Sequence, residues 1–331
     1  MKISNLLTTI DHHHGQASRT VIAGYPHIHG KTMRDKANYY LANMSWVHES
    51  LIREPRGHKN MLGGIITDPV ADGSELGILF LHANGLFDGC GDSTFSAASA
   101  VIETGRVAVQ EPLTRFSMDT VNGPLHIEAD VVDGVLNQVR FENIPSYFVG
   151  RTVAKTEAGD VDVDIAFGGN YFGFVDAASV GLEIKPENEQ KIIVKALELW
   201  AAIDETALMT DKATGKPAKI ELFTFVTRTS ATSYRVANIY KPGCMGRTPS
   251  GTGTSAHIAL RVANGEYDGV ETFTQESILG TAFTATARKV TLESGVEAII
   301  PKVGTKSYMM GIHQFVIDPK DPYARGFILG A

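Results

Sequence analysis

Cys90 and Ser250 are the two side chains of this sequence whose type and setting favour catalysis. Each begins a run of small residues, CGDST at Cys90 and SGTGTSA at Ser250. Each run leads into an apolar pattern with helical spacing that ends at a glycine, Gly105 or Gly265. A glycine just past the last turn is a common C-terminal signal of helices. The sequence therefore predicts a thiol and a hydroxyl at the starts of two matched helices.

The start of a helix is a natural anion site. Its first backbone N–H groups lack intrahelical partners, and the helix dipole adds partial positive charge there. The same field lowers the pKa of a thiol, so part of Cys90 is expected to be thiolate and able to act as a base or nucleophile. Ser250 is a weaker base that can donate a proton or orient a leaving hydroxyl. A carboxylate held between these two groups describes an α-amino acid, for which proton removal at Cα is the natural reaction.

The composition indicates a well-packed globular protein and excludes several functional classes. The chain has 331 residues, with 43% hydrophobic and 20% charged residues, which suits one large domain or two of ordinary size. A net charge of -7 without a Lys/Arg cluster argues against nucleic-acid binding, and no apolar run has the length of a membrane span. The N-terminus lacks a signal-peptide layout, and two cysteines make a disulfide framework improbable. We therefore expect a cytoplasmic protein.

The pattern of elements predicts an α/β fold with a weak internal duplication. Each half contains strand-like runs, one long helical pattern (31–53 or 188–204), further strands, a small-residue turn and a short helix. Strand runs outnumber helices, which argues against purely parallel winding. The duplication predicts pseudo-twofold symmetry with the two turns facing each other. The predicted first lobe comprises residues 1–122 plus 306–331 with Cys90, and the second comprises residues 123–305 with Ser250.

No motif of the sequence requires a metal or a cofactor. Three consecutive histidines, 12–14, suggest a metal at first, but neighbouring side chains point in different directions. No phosphate-binding or dinucleotide-binding fingerprint follows a strand. Cys244 is interpreted as a structural residue, since a free cysteine mostly behaves as a small buried hydrophobe. The predicted chemistry therefore uses no cofactor and no metal.

Five motifs extend over most of the chain: residues 11–19, 54–58, 90–91, 164–170 and 247–256. They resemble the motifs of the proline racemase family, which includes proline racemases, 4-hydroxyproline epimerases and trans-3-hydroxyproline dehydratases. The resemblance implies a fold similar to that of diaminopimelate epimerase, with two α/β lobes and the active site in the cleft between them. It also implies that Cys90 is a catalytic base or acid, with Ser250 at the second catalytic position. The candidate substrate-binding residues are Gly91, Asp92, Ser93, Gly251 and Thr252.

The sequence departs from the family pattern at three positions. Ser250 stands where racemases and epimerases have a second cysteine and where dehydratases commonly have threonine. Asp92 stands where the family usually has histidine, and Gly246 where it usually has aspartate; those two side chains normally contact the substrate nitrogen. Asp92 therefore has two interpretations: it takes over the amine contact, or it simply favours the helix N-terminus.

Three functions follow from these residues. The favoured one is a cofactor-independent dehydratase of trans-3-hydroxyproline, in which Cys90 removes the Cα proton and Ser250 assists loss of the hydroxyl. The second is a proline racemase or 4-hydroxyproline 2-epimerase, and the third is an amino-acid-binding protein without turnover. The expected partner is a small amino acid, not a nucleic acid or a membrane. The sequence leaves the oligomeric state open, and a homodimer is one of the states considered.

Overall fold

The computed structural model of the chain describes residues 5–203, 209–241 and 243–329. The helices are α1 (Met33–Asn43), α2 (Trp46–Ile52), α3 (Gly91–Glu103), α4 (Glu189–Ala202) and α5 (Gly251–Ala263). The strands are β1 (Asn5–His13), β2 (Ala17–Ala23), β3 (Leu62–Thr67), β4 (Leu76–His82), β5 (Gly85–Phe87), β6 (Leu113–Thr120), β7 (Gly123–Val132), β8 (Val135–Glu142), β9 (Tyr147–Thr156), β10 (Gly159–Phe167), β11 (Tyr171–Asp176), β12 (Leu222–Arg228), β13 (Ser233–Tyr240), β14 (Cys244–Met245), β15 (Phe273–Glu276), β16 (Ala282–Thr291), β17 (Glu297–Thr305) and β18 (Tyr308–Ile317).

The chain divides into two compact units. One contains the chain up to Phe141 together with the segment from Thr305 onward, and the other contains Glu142–Gly304. The sequence predicted the first crossing near Asn122, but this residue lies in the tight turn between β6 and β7, where Thr120 pairs with Gly123. Because β8 then pairs with β7, the chain stays in the first unit for two strands more than predicted, β7 and β8.

The two units repeat one sheet topology. In the first unit the sheet runs β18–β1–β2–β3–β4–β6–β7–β8, with parallel pairs only at β2/β3 and β4/β6. In the second it runs β9–β10–β11–β12–β13–β15–β16–β17, with parallel pairs only at β11/β12 and β13/β15. The short strands β5 and β14 pair with the corresponding strands β4 and β13. The described strands thus confirm the predicted internal duplication.

Helices α3 and α5 are the matched helices of the duplication. Both have 13 residues, of which eleven in α3 and nine in α5 are buried. Gly105 and Gly265 follow them with φ of 69° and 71°. In each case the N–H of the next residue bonds to a carbonyl five residues back, from Arg106 to Val101 at 2.9 Å and from Glu266 to Arg261 at 2.9 Å. These are Schellman caps, so both predicted helices and both stop signals are confirmed.

The remaining helices cover the sheets. In the first unit, residues of α1 and α2, among them Tyr40, Val47 and Leu51, join a core with Ile65 and Leu79. In the second unit, Ile192, Ala196 and Leu199 of α4 pack with strand residues such as Phe223 and Ile239. None of the helices in the described segments has the length and apolar character needed to cross a bilayer.

The single helix predicted for residues 31–53 is wrong. The structure ends α1 at Asn43 and begins α2 at Trp46. The hydroxyl of Ser45 donates to the carbonyl of Leu41 at 2.6 Å, the acceptor that a continuous helix would offer to the Ser45 backbone. Four further strands were not predicted from the sequence: β5, β9, β14 and β15. The second long helix is α4, and its predicted last residue, Asp204, lies outside the described residues.

Candidate active site

Cys90 lies where β5 is followed by α3. It is the N-cap residue, with an extended backbone (φ -151°, ψ 109°), and the N–H of Thr94 makes the first intrahelical bond to the Cys90 carbonyl at 3.0 Å. The N–H groups of Gly91, Asp92 and Ser93 therefore precede the intrahelical ladder. The thiol is half-buried and accepts no capping hydrogen bond from the N2 or N3 backbone within normal geometry. The turn thus offers anion-binding N–H groups beside a thiol.

The Cys90 thiol is less acidic than the sequence predicted. Burial, together with the negative charge of Asp92, raises the pKa of Cys90 to about 11. The polar groups of Ser93 and the backbone of Asp92 favour the thiolate and lower this pKa, but they do not outweigh those two causes. The predicted lowering of the Cys90 pKa is therefore wrong, because a thiol with a raised pKa is mainly protonated at neutral pH. Loss of water and a neighbouring anion oppose the helix dipole here.

The Asp92 carboxylate is held by a histidine that the sequence analysis did not include among the candidate site residues. His14 Nε2 lies 2.9 Å from Asp92 Oδ1, and His14 Nδ1 lies 3.1 Å from the hydroxyl of Ser307. His14 is 3% exposed, and Phe95 packs against its ring edge-on at 5.7 Å between centroids. All four residues belong to the first unit. The structure therefore extends the Cys90 turn by an imidazole and a hydroxyl.

A buried ion pair fixes the hairpin that carries His14. Asp11 on β1 and Arg19 on β2 are joined through Arg19 Nη2 and Asp11 Oδ2 at 2.7 Å. Arg19 Nη1 also donates to the carbonyls of Leu51 and Arg56 at 2.6 and 2.7 Å. The sequence motifs 11–19 and 54–58 thus meet at one guanidinium, which ties the β1–β2 hairpin to the backbone at Leu51 and Arg56.

Ser250 opens α5 with a different local geometry. Its backbone is left-handed in φ (66°, with ψ 127°), and its Oγ accepts the N–H of Gly253 at 3.1 Å. The Ser250 and Thr252 hydroxyl oxygens are 3.2 Å apart. Because Thr254 N makes the first intrahelical bond to the Ser250 carbonyl at 2.8 Å, the N–H groups of Gly251 and Thr252 precede the ladder. This turn offers N–H groups beside a hydroxyl.

Buried amides hold the backbone before Ser250. Asn238 Nδ2 donates to the carbonyls of Thr248 and Pro249 at 3.1 and 2.8 Å, and Gln275 Nε2 donates to Pro249 at 3.0 Å. His257 Nδ1 lies 2.7 Å from Gln275 Oε1, and Arg261 Nε donates to His257 Nε2 at 3.0 Å. Burial and the Arg261 charge lower the pKa of His257 to about 3. His257 is therefore a neutral link in a bracing network, and both of its ring nitrogens are used.

The glycines of motif 164–170 allow the backbone to pass close to α5. A Cβ at Gly168 would lie 2.3 Å from the Thr252 carbonyl oxygen and 2.6 Å from Ala256 N. Asn143 Nδ2 bridges the Gly168 carbonyl and the Ser255 hydroxyl at 2.9 and 3.0 Å. The motif is specific because a larger residue would push the Ser250 turn out of position.

The three adjacent histidines are separated by the strand alternation. His12 Nε2 lies 2.8 Å from Glu103 Oε2 at the far end of α3, while exposed His13 stacks on Tyr308. The described residues contain no group of three or more His, Cys, Asp or Glu side chains arranged to hold a metal. Cys244 is a half-buried free thiol on β14. The Gly246 N–H donates to the Asn238 carbonyl at 2.8 Å, so this position connects with the bracing of the Ser250 turn.

The structure groups the candidate residues by unit. Cys90, Gly91, Asp92 and Ser93 share the first turn of α3, and Ser250, Gly251 and Thr252 share the first turn of α5. That the two turns face one another stays a prediction. Four supporting residues were not predicted, because they are distant in sequence from the turns they support: His14, Ser307, Asn238 and Gln275. The one available signal was that His14 follows an alternating strand on the same face as buried His12.

Comparison with known proteins gives the chain a family. A family model described as "Proline racemase" matches residues 9–328. A proline racemase from Clostridioides difficile is 36% identical over 335 residues, covering 99% of this chain and 100% of the relative. A trans-3-hydroxy-L-proline dehydratase from Bacillus cereus is 32% identical over 339 residues, covering 100% of both chains.

A solved structure carries the same fold. It is that of a hydroxyproline epimerase from Agrobacterium vitis with bound trans-4-hydroxy-L-proline, similar with a TM-score of 0.86 and 26% identity, and it covers 99% of this chain and 97% of that chain. This similarity confirms the predicted fold class of two α/β lobes. The matched family model and these relatives span nearly all of the sequence, and the chain belongs to the proline racemase family.

Proposed function

We propose that this protein is a cofactor-independent enzyme that removes the Cα proton of a proline-type amino acid, and that it dehydrates trans-3-hydroxyproline. Cys90 is the base, and Ser250 assists the leaving hydroxyl. The N–H groups at the two helix starts hold the substrate carboxylate, and the Asp92 side chain binds the substrate ammonium. The proposed carboxylate-binding residues are Gly91, Asp92, Ser93, Gly251 and Thr252.

The geometry around Ser250 is the observation that favours dehydration over inversion at Cα. Within the described part of the second unit, the Ser250 hydroxyl oxygen is bonded to the Gly253 N–H and to the Thr252 hydroxyl. Neither group can remove its proton, and His257 is occupied at both ring nitrogens. Inversion needs an acid and a base on opposite faces of Cα, whereas elimination needs only hydrogen bonding to the departing oxygen. A hydroxyl without a base therefore supports elimination.

Substrate binding would also favour the thiolate form of Cys90. The negative charge of Asp92 is one cause of the raised pKa of Cys90. A substrate ammonium paired with Asp92 would cancel that charge and lower the pKa of the thiol. Cys90 then takes the Cα proton, the C–H electron pair forms the double bond between Cα and Cβ, and the C–O bond breaks. The proton and the released hydroxide together make the water that is eliminated.

The family relatives leave one alternative, which is inversion at Cα. The proline racemase relative is named for that reaction, and the hydroxyproline epimerase structure is named for the equivalent one. In this protein, either inversion reaction would require Ser250 to accept a proton or to donate one to a carbanion. The two reactions are distinguished by their products, since inversion keeps the ring hydroxyl and dehydration removes it.

The experiment incubates the protein in deuterated water with trans-3-hydroxyproline, 4-hydroxyproline and proline, followed by chiral separation and mass analysis. We expect a cyclic imine or its keto form from trans-3-hydroxyproline. Ser250→Cys should raise Cα inversion and lower dehydration, changing their ratio by about tenfold or more, because a thiol is a competent second acid or base. Ser250→Ala should lower dehydration without raising inversion. Efficient inversion of proline or 4-hydroxyproline by the unmodified protein, with no dehydrated product, would assign it as a racemase or epimerase.

A further inference from the structure

His14 is fixed on three sides in the first unit. Its ring nitrogens contact Asp92 Oδ1 at 2.9 Å and Ser307 Oγ at 3.1 Å, and Phe95 packs against the ring. The residue follows β1 in a hairpin that the buried Asp11–Arg19 pair holds in place. A buried imidazole with both nitrogens bonded has one orientation, so it presents Nε2 to Asp92 in a fixed direction.

The hydrogen-bond chemistry fixes the order of donors. A carboxylate accepts only, so His14 Nε2 carries the hydrogen that joins it to Asp92. The Ser307 hydroxyl can then donate to Nδ1 when the ring is neutral, which selects a single tautomer. The chain of groups therefore runs from Ser307 through His14 to the carboxylate of Asp92.

Asp92 needs such support because of where it lies. Its side chain is 15% exposed and stands in the first turn of α3, two residues from Cys90. A carboxylate in this setting can rotate about its side-chain torsions, and only some orientations direct it at a substrate nitrogen. We propose that His14, backed by Ser307, is a positioning residue that holds the Asp92 carboxylate in the orientation that receives the ammonium of a cyclic amino acid. This inference rests on the role proposed above for Asp92.

In this role, His14 is a determinant of specificity for the charged ring nitrogen. A ring with oxygen in place of the nitrogen keeps the carboxylate but offers no cation to Asp92. Loss of His14 should therefore weaken binding of the amino acid while leaving binding of the oxygen analogue nearly unchanged. A purely structural role would weaken both ligands alike.

The test measures binding by calorimetry, with tetrahydrofuran-2-carboxylate and the proline-type amino acid that the wild-type protein binds most tightly. His14→Leu should weaken binding of the amino acid by roughly tenfold or more, as expected for loss of a hydrogen bond to a charged group. It should weaken binding of the oxygen analogue by less than about twofold. His14→Gln keeps an N–H donor at the Nε2 position and should recover most of the loss. Adding His14→Leu to Asp92→Asn should cause little further loss, since the histidine acts through the carboxylate.

The matched control is His13→Gln, because His13 is the exposed neighbour on the opposite face of the strand. It should leave both affinities unchanged. Thermal unfolding of each variant identifies any that fails to fold, and His14→Gln then carries the comparison. Equal losses for the two ligands, or additive losses in the double variant, would overturn the role of His14 alone. A wild-type protein that binds and converts none of the proline-type amino acids would overturn the proposed function, and this inference with it.

Discussion

The two helix starts have the same framework and different local chemistry. Both begin helices of 13 residues that end in the same cap, yet Ser250 Oγ accepts the N–H of Gly253 while Cys90 makes no such cap. The Ser250 turn is braced from behind by Asn238 and Gln275, which hold the carbonyls before it. The Cys90 turn is instead modified by charge, through Asp92 and His14. The duplicated fold thus supplies two equivalent positions, and the neighbouring side chains give them different chemistry: an anion beside the thiol at Cys90 and a capped hydroxyl at Ser250.

The largest effect should come from removing the thiol. Cys90→Ser should lower turnover by about a hundredfold to ten-thousandfold, because a hydroxyl is a far weaker base at neutral pH. The measurement is the rate of product formation or Cα deuterium exchange on the true substrate. Cys244→Ser is the control and should retain activity. If Cys90→Ser stayed within a few-fold of wild type, the assignment of the base to the first turn would fail.

The packing around the two turns differs, and this predicts a smaller effect that is measured in the free energy of unfolding. Gly168→Ala would place a Cβ 2.3 Å from the Thr252 carbonyl, so it should lower the free energy of unfolding by about 1–3 kcal/mol. Gly89→Ala, before the Cys90 turn, would meet only the Asn122 side chain at 3.5 Å and should change stability by less than about 0.5 kcal/mol. Denaturant unfolding measures both. Equal values would show that the second turn is no more tightly packed than the first.

The charge beside the thiol predicts an effect of about tenfold or less on reactivity. Burial and the charge of Asp92 together raise the pKa of Cys90 to about 11; Asp92→Asn removes the second of these causes, so more thiolate should form. In a Cys244→Ser background at about pH 8, iodoacetamide should alkylate this variant roughly threefold to tenfold faster, since one pKa unit is a tenfold change in thiolate. For both proteins the rate should rise with pH up to the pKa. Asp88→Asn is the control, because exposed Asp88 is paired with Arg34. An unchanged rate would mean that burial alone sets the acidity.

Much of this arrangement could be predicted from local sequence. The small-residue runs and the glycines 105 and 265 located both matched helices, because capping signals lie within a few residues of the helix they end. The repeated order of elements also predicted the duplication. The helix break at Ser45 was missed, because its cause is one side-chain hydrogen bond inside an otherwise helical pattern.

The rest depends on contacts that sequence separation hides. His14 meets Asp92 only because β1 and α3 pack in one unit, and Gln275 meets Pro249 across 26 positions. The acidity of Cys90 was predicted in the wrong direction for the same reason. A helix dipole can be inferred from a local pattern, but desolvation is set by the surrounding fold and outweighs the dipole here.

The left-handed backbone of Ser250 implies that thermal stability and catalytic activity place opposite demands on this position. Its φ of 66° is a conformation that costs a residue with a side chain about 1–2 kcal/mol and costs glycine little. Glycine would lose the cap to Gly253, which is worth only a few tenths of a kcal/mol relative to serine. Ser250→Gly should therefore give a protein that melts at a higher temperature and no longer assists the leaving hydroxyl. A selection for heat resistance alone would favour that variant, whereas a selection for turnover would retain the serine.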